Sequence, residues 1–113
     1  MSDDPSLPPA PHDACKIPEA CTTMTDVRAG IDALDERIVE LLATRFGYMR
    51  AAARIKPDRT MVRDEDRKAQ VIAQARARAE QLGLPGAVIG EMWELLVEGS
   101  IAYELDHWDR RRR

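Results

Sequence analysis

Three cations, Arg28, Arg45 and Lys56, recur on one stripe of a segment that otherwise reads as apolar helix. Only Gly30 and Gly47 interrupt the run from Thr25 to Lys56. Its seam of Arg28, Ile31, Asp35, Ile38, Leu42, Arg45, Met49, Ala52 and Lys56 keeps an alternating spacing of three and four. A seam that faces another helix wants Leu, Ile and Val. A charge there costs on the order of several kcal/mol unless an opposite charge meets it. One such residue is explained by a buried stem and a hydrated head. Three on one seam ask for an anion, and arginine's planar fork suits a carboxylate. Near the end of the chain, Ser100 and Glu104 stand four apart and share one helical face. A core serine can bond back to a carbonyl, whereas a buried carboxylate needs a cation. A structural salt bridge from Glu104 to a cation of the first helix therefore competes with a role in chemistry. Arg63, Asp64, Arg67 and Lys68 form a further charged cluster, which fits a solvated face as well as a ligand site.

The elements that would position these residues are helices. Thr23 or Thr25 can cap the first, with Asp26 in its first turn. Pro57 disfavours helix at the residue before it, so the first helix should end at Lys56. It would then be about 48 Å long. A second helix is predicted from about Asp64 to Leu82, opened by acidic residues and stopped by Gly83. A third is predicted from Pro85 as its first residue to about Trp108. No strand signal competes. With 44% hydrophobic residues and five aromatics (two Trp, two Tyr, one Phe) in 113 residues, the composition is that of one small helical core.

One long helix and two shorter ones leave much of the long stripe wet, and the economical solution is an intertwined homodimer. The cation spacing argues the same way. Arg28 and Arg45 would lie roughly 26 Å apart along the axis, too far for one small ligand, while Arg45 and Lys56, about 17 Å apart, can converge. If Arg28 is a ligand-binding residue, it must serve the site of the other subunit. Alternatively it pairs with a carboxylate such as Asp35 of the partner helix.

Residues 1–22 are a different kind of sequence, a proline-rich tail read as extended or disordered, ahead of a helical domain over 23–113. The tail has no signal-peptide pattern, and no run is apolar enough to span a membrane. Cys15 and Cys21 have no metal-motif spacing and are expected as free thiols of a cytoplasmic protein. A net charge of −3 and a pI near 5.4 argue against nucleic-acid binding. The basic run Arg110–Arg113 is expected to be a solvated tail that complements the helix dipole.

Thr25-Asp26-Val27-Arg28-Ala29-Gly30-Ile31-Asp32-Ala33-Leu34-Asp35, then Leu41-Leu42-Ala43-Thr44-Arg45, Lys56, and Val62-Arg63-Asp64-Glu65-Asp66-Arg67 together resemble the all-helical chorismate mutase family, over residues 18 to 108. The resemblance implies an intertwined three-helix dimer with two shared active sites. It also implies a dicarboxylate substrate, no cofactor or metal, and the rearrangement of chorismate to prephenate in aromatic amino-acid biosynthesis. Such a pericyclic step needs only the folded conformer and stabilisation of charge on the ether oxygen. By the resemblance, Arg45 and the other subunit's Arg28 clamp carboxylates, and Lys56 contacts the ether oxygen and a carboxylate. Arg67 is a further substrate-side arginine, Asp64 a hydroxyl-side contact and Ser100 a carboxylate-side hydroxyl. Glu104 stands where a Gln usually donates to the ether oxygen. Lys68 stands where mutases carry a Glu for the ring hydroxyl. That departure, with the Pro18–Thr22 lead-in and the loop from Lys56 to Arg67, is closer to the isochorismate-pyruvate lyase branch, which forms salicylate and pyruvate. Asp64 and Ser100 are mutase-like. Chorismate mutase is the favoured expectation, the lyase the alternative, and a non-catalytic anion-binding helical dimer the alternative of another class.

Overall fold

The computed structural model describes residues 16–113, so Cys15 and the prolines before it lie outside the described residues. The architecture is all-helical: α1 (Met24–Ile55), α2 (Glu65–Gln81) and α3 (Gly86–Arg111), with 3-10 turns at Pro18–Ala20 and Arg59–Met61. No strand occurs among the described residues, as predicted. The chain divides into two compact units, one up to Arg45 and one from Phe46 to Arg113, and α1 runs through the division.

The first unit is built around the start of α1. Thr23 is its cap: the Thr23 hydroxyl accepts from Asp26 N–H at 3.1 Å, and its carbonyl accepts from Val27 N–H at 3.2 Å. Asp26 reaches back in turn, accepting from Thr22 N–H at 3.1 Å and from the Lys16 ammonium at 3.1 Å. The Thr22 N–H and then Lys16 hold the Asp26 carboxyl well below its usual range, at about 2. This tie folds the lead-in onto the helix. Part of the segment expected to be extended is therefore a 3-10 turn, with proline in its favoured opening position. Ile17, Cys21, Val27, Ile31 and Leu34 line a hollow of about 400 Å³ between turn and helix. Cys21 is a free thiol. Farther along α1, Ile31, Ile38 and Leu41 remain 51%, 51% and 63% exposed.

The second unit packs α2 against α3 around Val62, Val97 and Ile101, with Ile72, Trp93, Leu105 and Trp108 closing over them. Asp64 caps α2, its carboxylate accepting from Arg67 N–H at 3.0 Å. Helix α2 ends in a Schellman turn. Leu84 N–H donates to Ala79 carbonyl at 2.8 Å and Gly83 N–H to Glu80 carbonyl at 3.1 Å. Gly83 has φ 76°, which only glycine adopts without strain. Helix α3 begins one residue later than predicted, because Pro85 is extended (ψ 103°) and serves as the cap rather than the first helical residue. At Gly90 a Cβ would lie 2.8 Å from Cδ of Arg76, so this glycine is what lets the α2 arginine stem lie flat on α3. Helix α3 also runs past Trp108 to Arg111. The basic end is not simply solvated.

Candidate functional site

The end of α1 is chemically incomplete, and its repair builds the site. An α-helix leaves its last carbonyls without intrahelical donors. Lys56 N–H still closes a bond to Ala52 carbonyl at 2.9 Å. The next bond would run from residue 57 to Ala53, but Pro57 has no N–H. Arg112 of the α3 end supplies the missing donor: its Nη1 donates to Ala53 carbonyl at 3.0 Å, and its Nη2 to Lys56 carbonyl at 2.7 Å. Trp108 Nε1 donates to the same Lys56 carbonyl at 3.0 Å. The guanidinium stacks 3.9 Å from the centre of the Trp108 ring, a cation–π contact that fixes both donors. One turn on, Arg59 forks onto Asp109 at 2.8 and 3.2 Å. That contact raises the arginine's affinity for its proton and lowers the aspartate's.

Held this way, Lys56 points its ammonium at α3, where Nζ lies 2.7 Å from Oε2 of Glu104. The Glu104 side chain is 5% exposed and that of Lys56 27%. Oε2 is buried and receives no hydrogen bond of good direction, so the contact is a charge pairing rather than an aligned bond. Ser100, one turn earlier on the same face, is buried and donates to Leu96 carbonyl at 2.7 Å. The salt bridge weighed for Glu104 is thus present, and its partner is Lys56.

The other anticipated residues fall elsewhere. Asp64 and Arg67 are at the start of α2, where Asp64 is occupied in capping and Arg67 Nη1 donates to Gln70 Oε1 at 2.7 Å. Lys68 lies between two carboxylates of α3, 2.8 Å from Glu94 and 2.7 Å from Glu98. Those two, Glu94 first, raise its pKa. Arg63 forks onto Glu98 at 2.9 and 3.0 Å and also meets Glu65 at 2.8 Å. Arg63 and then Lys68 pull the Glu98 carboxyl down to about 2. Arg28 and Arg45 belong to the first unit, Arg28 exposed and Arg45 half-buried. Sequence reasoning missed Arg112, Trp108 and Glu98. For Arg112 a signal existed, since Pro57 implies an orphan carbonyl at Ala53 and hence a donor from elsewhere. Among the described residues no group of His, Cys, Asp and Glu is arranged to hold a metal, and no helix is long and apolar enough to cross a membrane.

A buried carboxyl facing a lysine, with a serine one turn away, is an arrangement able to receive both a negative and a hydrogen-bonding group of a ligand. Residues 27–105, which contain the Lys56–Glu104 pair and all the other anticipated site residues, match the family described as Chorismate mutase type II. The chain is 30% identical over 97 residues to the isochorismate pyruvate lyase of Pseudomonas aeruginosa, covering 86% of this chain and 96% of that protein. With three helices and a family match that runs from the start of α1 into α3, the chain belongs to the chorismate mutase type II family.

Proposed function

We propose that this protein is a cytoplasmic chorismate mutase, acting as a homodimer on chorismate to form prephenate for aromatic amino-acid biosynthesis. The observation that carries this reading is the pairing of Lys56 with Glu104, in which a buried carboxyl oxygen lacks an aligned hydrogen bond. In the rearrangement one C–C bond forms as the ether C–O bond breaks, and negative charge grows on the ether oxygen. A lysine and a protonated carboxyl converging on that oxygen stabilise the growing charge more than the ground state, which is the requirement for catalysis. In the resting protein the pair occupies itself. A substrate carboxylate arriving at Lys56 takes over the ammonium, and Glu104, taking up a proton from solvent as the substrate binds, donates a hydrogen bond to the ether oxygen. Arg45 of one protomer and Arg28 of the other clamp the two carboxylates, with Arg67 and Ser100 beside them and Asp64 toward the ring hydroxyl. No cofactor or metal is needed. The exposed apolar residues Ile31, Ile38 and Leu41 support the dimer, because a stripe of that kind marks an interface.

A second reading has its own support. The relative from Pseudomonas aeruginosa is named a lyase, and Lys68 replaces the glutamate that would hold the ring hydroxyl of chorismate. Glu94 and Glu98 hold its ammonium at 2.8 and 2.7 Å. The test is direct: purified protein is incubated with chorismate and, separately, with isochorismate. Prephenate from the first supports the mutase. Salicylate and pyruvate from the second, without prephenate, would replace it by the lyase. Inertness toward both would leave an anion-binding dimer.

A further inference from the structure

We infer that Arg112, from the basic tail of the chain, is a positioning residue for Lys56. The inference rests on the proposed role of Lys56 in catalysis. Lysine is a flexible side chain, and a catalytic lysine gains its effect from being held. Here the backbone that carries it is the weak point, because α1 stops at Ile55 and Pro57 removes the next helical bond. Arg112 closes that gap twice, onto Ala53 carbonyl at 3.0 Å and Lys56 carbonyl at 2.7 Å, and it also accepts support from its own helix by donating to Trp108 carbonyl at 3.3 Å.

The arrangement does more than cap. Glu104, Trp108 and Arg112 are spaced by four and lie on one stripe of the α3 end. Glu104 meets the ammonium of Lys56, while Trp108 and Arg112 meet its carbonyl. The two ends of the same lysine are thus referred to a single rigid helix, and the distance between ammonium and carboxyl is set by the two latch residues. A lysine in place of Arg112 can serve one carbonyl but not both, because an ammonium lacks the fork. The guanidinium is also favourable at the negative end of α1, which an ordinary capping role would exploit equally. The distinguishing consequence is kinetic: loss of the latch should misplace Lys56 without removing any group that touches substrate.

The experiment compares wild type with Arg112→Ala, Arg112→Lys, Trp108→Phe and, as a control, Arg110→Ala, whose side chain pairs with Asp106 of its own helix at 2.9 Å. Two quantities are read. One is turnover on whichever substrate the wild type uses, resolved into kcat and KM. The other is the labelling rate of the Lys56 ammonium by trinitrobenzenesulfonate, measured by peptide mass spectrometry with Lys16 as internal reference. Arg112→Ala should lower kcat roughly tenfold to a hundredfold with a smaller change in KM. Added guanidinium ion should restore part of the loss, and Lys56 should label several-fold faster. Trp108→Phe keeps the ring and loses the donor, and should show the same effects more weakly. Arg110→Ala should match wild type.

Wild-type kcat and wild-type Lys56 labelling in Arg112→Ala would overturn the inference. So would a fall in kcat with unchanged labelling and no rescue by guanidinium, which is the signature of a stability effect alone. A wild type inert toward both substrates, with Lys56 labelling still accelerated in Arg112→Ala, would instead sink the proposed function and uphold the hold on Lys56.

Discussion

Glu104 is the residue at which structure and chemistry press hardest on each other. In the free protein it is an ion-pair partner, 2.7 Å from the Lys56 ammonium and almost fully buried. An ionised carboxylate beside the ether oxygen would oppose the negative charge that develops there, whereas a protonated one donates a hydrogen bond, as an amide would. In the proposed rearrangement Glu104→Gln should therefore retain activity, because an amide donates, whereas Glu104→Ala should lower kcat by roughly a hundredfold. The measurement is kcat for both variants beside wild type, and a wild-type kcat in Glu104→Ala would return Glu104 to a purely structural role. The pairing itself was legible in the sequence as one of two alternatives, since a carboxylate on a core stripe must find a cation. Which cation could not be read, because Arg28, Arg45 and Lys56 share one seam and only the backbone path at the end of α1 separates them.

At the scale of elements, the helix ends were legible where one residue type has one use. Asp64 caps α2, Gly83 stops it with φ 76°, and Pro57 ends α1. Pro85 was one position out because proline suits both the cap and the first turn. The α2–α3 charge network was not legible, since Lys68, Arg63 and Glu98 are brought together across about thirty residues by packing that no local pattern encodes. It makes a prediction of definite sign. Glu98 is held at about 2 against an ordinary value of 4.5, chiefly by Arg63 and then Lys68. A depressed carboxyl stabilises the fold fully above its unfolded value, and that contribution drains away as pH falls from about 4.5 toward about 2. Thermal unfolding followed by circular dichroism should thus show wild type losing stability over that window. Glu98→Gln should be less stable than wild type at neutral pH and should converge on it at the acid end. Parallel pH curves for the two proteins would count against the network. The Lys16–Asp26 tie at the start of α1 titrates over the same acid range, but it is present in both proteins and cancels in the comparison.

For the whole molecule the open matter is how many chains make a site. Ile31, Ile38 and Leu41 are half-exposed or more on a helix whose neighbouring positions carry Arg28 and Arg45. Burying such a stripe against a second copy is worth about 25 cal/mol for each Å² of apolar surface removed from water. Equilibrium sedimentation should accordingly find a two-chain species at micromolar concentration and no helical monomer on dilution. A compact monomer of full helicity would remove the shared site along with the dimer. If the dimer forms, the arginines decide its geometry. In a two-fold pair with sites completed in trans, each site takes Arg45 from one chain and Arg28 from the other. Arg28→Ala and Arg45→Ala should then each be nearly inactive as homodimers, since every site lacks one clamp. A mixed dimer is different: the Arg28→Ala chain still offers Arg45, the Arg45→Ala chain still offers Arg28, and the two meet in one intact site. With random exchange at equal amounts, about half the dimers are mixed and each keeps one of two sites, so activity should recover to about a quarter of wild type. Were both arginines to act within their own chain, each site of the mixed dimer would still lack one of them. Mixing would then restore nothing even with heterodimers demonstrated by native mass spectrometry, and Arg28 would not be a ligand of the other chain's site.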